Sequence, residues 1–252
     1  MSFFNNAIQI FIDYLPLFLH GIRVTLLISL TGTIIGLLIG LVIGGLRAIK
    51  IEVRDKVLVR VLKRIMHILT GTYVEIFRGT PMMVQAMFLY YSLLKPIFGF
   101  DAITSGIIIV SINTGAYMAE IIRAGIQSVD LGQTEAARSI GMSAMQTMFY
   151  IILPQAIKNS FPSIGNEFVV NIKDTSVLNV ITVTEIYFQT IRIAGSTFSF
   201  AGPFFITAVV YFVLTYTTTI ILKTIEHRLH ETKSSYPASQ TVPQSNVINK
   251  GD

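Results

Sequence analysis

The sequence predicts an all-α integral membrane protein with five transmembrane helices and a short polar helix between the third and the fourth. Three observations predict it. The chain is 52% hydrophobic and only 13% charged, whereas soluble domains carry about 25% charged residues, and its mean hydropathy is +0.65. Val24 to Leu46 is a run of 23 residues without a charge; as a helix rising about 1.5 Å per residue it spans about 35 Å, enough to cross a hydrocarbon core of about 30 Å. Further apolar stretches follow at Gly79 to Leu94, Ala102 to Ala119 and Gly195 to Leu222, with a weaker one from Ile151 to Val183 interrupted by Lys158, Glu167, Lys173 and Asp174.

The first span carries Gly32, Gly36, Gly40 and Gly44. Glycines four apart fall on one helix face and admit a second helix closely, either within the chain or across a dimer seam. The span does not read as a cleaved signal peptide: the first basic residue is Arg23, the apolar run is too long, and no small-residue cleavage site precedes Arg47. The mature chain is expected to begin at Met1. The connection to the second span holds eight basic residues from Arg47 to Arg78. Arg123, Arg138 and Lys158 in the third connection, with Lys223, Arg228, Lys233 and Lys250 at the C-terminal end, bring one side to fifteen. Only Arg23, Lys95, Lys173 and Arg192 lie elsewhere. The positive-inside rule then puts the N-terminus outside and the C-terminus in the cytoplasm. Residues 1–228 are expected to form the membrane domain, with a polar loop at 120–150, and residues 229–252, polar and proline-containing, a flexible cytoplasmic tail.

Several classes of function are disfavoured. There is no cysteine, so disulfides, thiolate metal sites and cysteine nucleophiles are excluded, and no metal site is expected. A nucleic-acid binder would gather its net charge of +5 on a polar domain, and none is present. A membrane-embedded enzyme is an alternative, but His20, His67, His227 and His230 are scattered, and neither a Gly-x-Ser-x-Gly elbow nor an aspartate pair in adjacent spans occurs. A motor-independent channel or carrier would be longer and carry internal repeats.

The polar loop specifies a corner. Asp130 followed by Gln133 forms a candidate N-cap with its reciprocal partner, so a helix is expected from near Leu131 through Glu135, Ala136, Ala137 and Arg138. Gly141 is placed to stop it in a left-handed conformation, and Ser143 with Gln146 forms a second capping pair that starts the next helix. The small alanine side chains leave either a low-relief docking surface or an ordinary cytoplasmic turn.

Glu135-Ala136-Ala137, three residues, Gly141, nine residues, Ile151, one residue and Leu153-Pro154 together resemble the EAA motif of the membrane subunits of binding-protein-dependent ABC importers. Phe77 to Pro81, Ala116 to Gly125 and Gly165 to Phe168 resemble the polar amino acid branch of that family, and the similarity runs from about Leu15 to Arg228. The resemblance implies a type I ABC importer permease fold, in which the helix carrying Glu135, Ala136, Ala137, Arg138 and Gly141 is a coupling helix seated on an ATPase subunit. It also implies the partners: an ABC ATPase dimer, an extracytoplasmic amino acid binding protein, and a second permease copy or paralogue, all at a bacterial cytoplasmic membrane. The chain carries no phosphate-cradling loop ending in Gly-Lys-Ser or Gly-Lys-Thr. ATP and magnesium would therefore be bound by the partner, with no cofactor in this chain and no catalysis by it.

A charge within a span costs about 2.5 to 3.5 kcal/mol on insertion scales and marks a functional position. Glu167 is such a residue; Pro162 and Gly165 are expected to weaken its helix one turn earlier, and Arg78-Gly79-Thr80-Pro81 to break a helix running from near Ile65 to Leu94. Two interrupted helices form the pattern of a transport site. Glu167 with Asn166 would receive the cationic end of an amino acid, and Thr80, Pro81 and Met82 part of the rest. Arg78 would take its carboxylate, or pair with Glu75 or Glu167. In relatives of the arginine and histidine type a glutamate in this Gly-Asn-Glu context resembles a substrate ligand, although permeases for uncharged amino acids such as glutamine share it. Lys173-Asp174-Thr175-Ser176 resembles a further family signature, near the outer mouth on this topology, either a local Lys–Asp pair or helix terminator, or a ligand.

Overall fold

The computed structural model describes residues 3–49, 51–52 and 55–231. Eleven α-helices follow one another: α1 (Phe3–Asp13), α2 (Leu15–Ala48), α3 (Val57–Gly79), α4 (Met82–Leu89), α5 (Lys95–Phe98), α6 (Ala102–Gln127), α7 (Leu131–Ser139), α8 (Ala144–Gln146), α9 (Leu153–Asp174), α10 (Ile186–Thr197) and α11 (Ala201–Glu231). No strand occurs among the described residues. Three helices, α2, α6 and the Ala201–Leu229 part of α11, are each long and apolar enough to cross a membrane.

The glycine stripe of α2 packs against α6, within the chain. A Cβ added at Gly36 would stand 2.8 Å from Thr114 Cβ, and one at Gly44 would stand 2.6 Å from the Ala119 carbonyl oxygen. Gly32 meets Val110 and Gly40 meets Met118 in the same way. Because the paired numbers rise together, α2 and α6 run parallel, and α3 to α5 must return the chain to its starting side. The contacts of α9 run the other way: Gly125 faces Ala156 and Ser160, while Thr114 donates to Asn171 Oδ1 at 3.1 Å. Asn171 in turn donates to Thr33 Oγ1 of α2 at 2.8 Å, so one buried amide ties three helices. Gly165 of α9 lies against Leu222 of α11, again antiparallel. Between α2, α6 and the 3₁₀ turn Thr175–Ile181 sits an apolar core of Val24, Ile28, Ile109, Val110, Leu178 and Ile181.

Two π-helical turns, Tyr90–Leu94 and Thr147–Ile152, each precede a proline by two residues, Pro96 and Pro154. A proline ring clashes with the carbonyl four residues back and supplies no N–H. The wider turn displaces that carbonyl, and the N–H groups of Lys95 and Leu153 bond instead to Tyr90 and Met148, five residues back.

Four local expectations need correction. The helix before the Thr80–Pro81 break begins at Val57, not near Ile65, and the helical path beyond it reaches Phe98, past Leu94. Pro162 and Gly165 do not interrupt α9, which is continuous from Leu153 to Asp174; α6 packs against it on both sides of Pro162. Gln133 does not return a capping bond to Asp130, because its side-chain oxygen accepts from Gln155 Nε2 at 3.3 Å. Residues 229–231, expected in the tail, are the last turn of α11, and the rest of the expected tail lies outside the described residues.

The seam can be tested by filling it. Gly36→Val should lower the melting temperature of the detergent-purified chain by several degrees, since overpacking a tight contact costs about 1 to 3 kcal/mol. Gly45→Val makes the same change in helix propensity with nothing within 4 Å of its Cβ and should melt close to wild type. Equal melting of the two variants, read by loss of the monodisperse size-exclusion peak, would refute the seam.

Candidate functional site: a polar corner and a carboxylate on α9

The corner between α6 and α9 is closed by local chemistry at both ends. The Asp130 carboxylate accepts from the Gly132 amide at 2.6 Å, capping the first turn of α7. At the other end Gly141 adopts φ 81°, and its amide donates to Arg138 O at 3.0 Å while the Met142 amide donates to Ala137 O at 3.1 Å. This pair of bonds is a Schellman stop, which favours glycine because a Cβ is strained at that φ. Ser143 and Gln146 then form the reciprocal capping box at 3.2 and 2.8 Å. Beneath the corner, Val129, Ile152 and Ala156 form a small apolar cluster that anchors it to α6 and α9. Of the residues expected to couple, Ala137 is buried, and Glu135, Ala136, Arg138 and Gly141 are exposed.

Just inside the corner, Glu120 of α6 pairs with Arg47 of α2 and with Arg123, whose Nη2 stands 2.7 Å from Glu120 Oε2. The carboxylate thus clasps the ends of the parallel pair. A cavity of about 440 Å³ opens beside it between α6 and α9, with Arg123, Ser128, Asn159, Ser160 and Ser163 among its lining residues.

Deeper in the molecule, the break between α3 and α4 is built as expected at Thr80 and Pro81, with its exposed backbone satisfied by side chains. Gln85 Nε2 donates to Phe77 O at 2.9 Å and to Thr80 O at 3.0 Å. Asn113 of α6 donates to the Gln85 side-chain oxygen at 2.9 Å. Thr80 donates to Ile76 O, Pro81 occupies the N-cap of α4, and Met82 packs against the apolar core. Arg78, exposed at the end of α3, lies over the Tyr117 ring at 5.5 Å. Among the described residues it makes no ion pair with Glu75 or Glu167, although it is close enough to act on the Glu167 charge.

Glu167 is partly buried on the unbroken face of α9, and Asn166 beside it is exposed. No hydrogen bond to the Glu167 carboxylate is found among the described residues. Lys173 and Asp174 stand at the end of α9, immediately before the 3₁₀ turn.

Sequence reasoning missed Glu185, which is fully buried; it lies between the predicted spans, so the rule applied to Glu167 did not reach it. It caps α10, accepting from the Tyr187 and Phe188 amides at 2.7 Å each and from the Tyr211 hydroxyl at 3.1 Å. Gln85, Asn113 and Asn171 were also missed; their partners lie on other helices, and no local pattern announces them.

The family model described as "Binding-protein-dependent transport system inner membrane component" matches residues 57–231. The chain is 36% identical over 159 residues to the glutamine transport system permease protein GlnP of Escherichia coli K12, covering 62% of this chain and 73% of that protein. It is 35% identical over 158 residues to the arginine transport system permease protein ArtQ of Bacillus subtilis 168, covering 62% and 72%. In structure it resembles a chain from the crystal structure of an amino acid ABC transporter with histidines, with a TM-score of 0.75 and 39% identity over 86% of this chain and 96% of that one. The MetNI methionine ABC transporter in an inward-facing conformation, at 16% identity and a TM-score of 0.73 over 86% of this chain and 98% of that one, shares the fold. With its corner motif, its helical membrane architecture and these likenesses, the chain belongs to the family of binding-protein-dependent transport system inner membrane components, the permease subunits of ABC importers.

Proposed function

We propose that the chain is the transmembrane subunit of an ATP-driven importer of a polar amino acid, with arginine, histidine, lysine and glutamine as the candidate cargoes. The observation that carries the cargo class is the unpaired juxtaposition of Glu167 and Arg78. Glu167, on which Asp174 and Arg78 both act, and Arg78, which also acts on Glu120, make no ion pair with each other and together would complement the two ends of a zwitterion. The Glu167 carboxylate would receive an ammonium or guanidinium, with Asn166 beside it, and Arg78 the substrate carboxylate. Thr80, Pro81 and Met82 would contribute backbone at the helix break, since the Met82 side chain is committed to the core.

The topology proposed is five spans, with the N-terminus outside and the C-terminus in the cytoplasm. The parallel run of α2 and α6 supports it, because α3 to α5 must recross between them, and the antiparallel runs of α9 and α11 add the last two. Two such permeases, identical or paralogous, would each seat an α7 on one subunit of the ATPase dimer, which binds the ATP and magnesium. Closure of that dimer would draw the two corners together and turn the spans outward to accept cargo from an extracytoplasmic binding protein. The relatives named for glutamine and for arginine transport support the amino acid class and leave its member open.

The first measurement is uptake by proteoliposomes containing this chain, its ATPase and its binding protein, against all twenty amino acids. Glu167→Gln should weaken uptake of a basic cargo about tenfold to a hundredfold, the range of a lost charge-assisted hydrogen bond of about 1.5 to 3 kcal/mol, while the assembled complex stays abundant. Equal loss of uptake and of assembly would make Glu167 a folding residue.

Coupling is read separately, by ATP hydrolysis. Gly141→Pro fixes φ near about −65° where +81° is required, and Glu135→Arg reverses a charge on the exposed face of α7. Either should reduce substrate-stimulated hydrolysis to the basal rate. Undiminished stimulation in both would remove α7 from the coupling role.

A further inference from the structure

The last turns of α3 are gripped by one stretch of α6. The Tyr73 hydroxyl donates to Ile112 O at 2.6 Å, and its ring lies 5.1 Å from that of Phe77. Asn113 Nδ2 donates to Phe77 O at 3.3 Å, the same oxygen that accepts from Gln85. One turn further along α6 the Tyr117 ring lies under the Arg78 guanidinium, 5.5 Å from Cζ to the ring centroid. That is inside the range of about 6 Å over which an aromatic face attracts a cation. Successive turns of α6 thus place the backbone of Phe77 and the side chain of Arg78.

Two carboxylates compete for that guanidinium. Arg78 lies in the fields of both Glu120 and Glu167, yet it forms an ion pair with neither. Glu120 is engaged by Arg47 and Arg123. Closure of Arg78 onto Glu167 would leave both ends of a bound zwitterion without a partner. The Tyr117 ring holds the cation by its quadrupole, which carries no net charge, so the guanidinium is placed without being neutralised.

We infer that Tyr117 is a positioning residue for Arg78: its ring keeps the guanidinium off Glu167 and Glu120 and presents it to the carboxylate end of the cargo. Tyr117 thereby sets the preference for a cargo with a free carboxylate. The inference rests on the proposed role of Arg78 as receptor for that group. It assigns the work to the ring face and none to the hydroxyl.

The test measures direct binding to the detergent-purified complex of this chain with its ATPase. The two ligands are the amino acid identified as cargo and its carboxamide, which keeps the ammonium and side chain and lacks the carboxylate. Wild type should prefer the amino acid. Tyr117→Leu should weaken binding of the amino acid by about twofold to thirtyfold, the range of a cation–π contact, and leave the carboxamide unchanged. Tyr117→Phe should bind as wild type does. Pentafluorophenylalanine at position 117 keeps the shape of the ring and withdraws the negative charge from its face, so it should weaken the amino acid even if Tyr117→Leu fails to assemble. Arg78→Gln should abolish the preference, and adding Tyr117→Leu to it should cost nothing more. Equal weakening of both ligands by Tyr117→Leu, no weakening of either, or an additive loss in the double variant would overturn the proposal and leave the role of Arg78 standing. An undiminished preference in Arg78→Gln would overturn that role, and the proposal with it.

Discussion

Both proposed sites hang on the seam between α2 and α6. In a bilayer the surrounding lipid is as apolar as a leucine face, so helices gain little by hiding apolar side chains from it and associate through close packing and interhelical hydrogen bonds. Four glycines on α2 let the two backbones meet at four successive levels. Asn171 adds hydrogen bonds to Thr33 and Thr114 on either side of the seam, and Glu120 closes the end nearest α7 with Arg47. The other functional parts are placed by what they lean on. The α3–α4 break rests on Asn113 and Tyr117 of α6, the α7 corner continues from the end of α6, and α9 packs on both helices.

Three glutamates in one low-dielectric setting show how partners separate structure from chemistry. Glu185 accepts from two backbone amides and a phenol, so its charge is engaged as an N-cap within the fold. Glu120 receives two guanidinium groups and works as a clasp between helices. Glu167 has no such partner among the described residues and lies within reach of the field of Arg78. An insertion penalty of about 2.5 to 3.5 kcal/mol is offset at Glu185 and Glu120 by bonds within the fold. At Glu167 the offset has to come from water or cargo.

What the sequence disclosed depended on how far away each partner lies. The Gly141 stop and the Ser143–Gln146 box were legible because every atom they need sits within about four residues. The glycine stripe was legible as a face, but not as a seam with α6 rather than with a second chain, because periodicity on one helix does not name its neighbour. Asp130 and Gln133 have the spacing of a reciprocal cap, yet a glutamine on α9 outcompeted that bond. Pro162 has the local signature of a break, and packing on both sides of it kept the helix whole. Gln85 and Asn113, which stabilise the break that does form, left no local trace.

The continuity of α9 through Pro162 bears directly on coupling. From Leu153 to Glu167 the helix rises about 21 Å without interruption, and Gly125 locks α6 against it at Ala156 and Ser160. On the proposed coupling, a displacement of the α7 corner would be delivered to Glu167 along a continuous helix. The compliant element lies at the base of that helix, in the π turn Thr147–Ile152, where hydrogen bonds five residues apart hold the backbone more loosely than an α-helix does. Had Pro162 and Gly165 broken the helix as the sequence suggested, the hinge would lie between corner and carboxylate, and movement of the corner would be absorbed before reaching the site. With the hinge at the base, α9 can reorient as a unit and carry Glu167 relative to Arg78, which is fixed on a different helix. If Glu167 and Arg78 hold the cargo as proposed, the distance between them would be a mechanical variable through which the proposed motor alters the grip on a zwitterion.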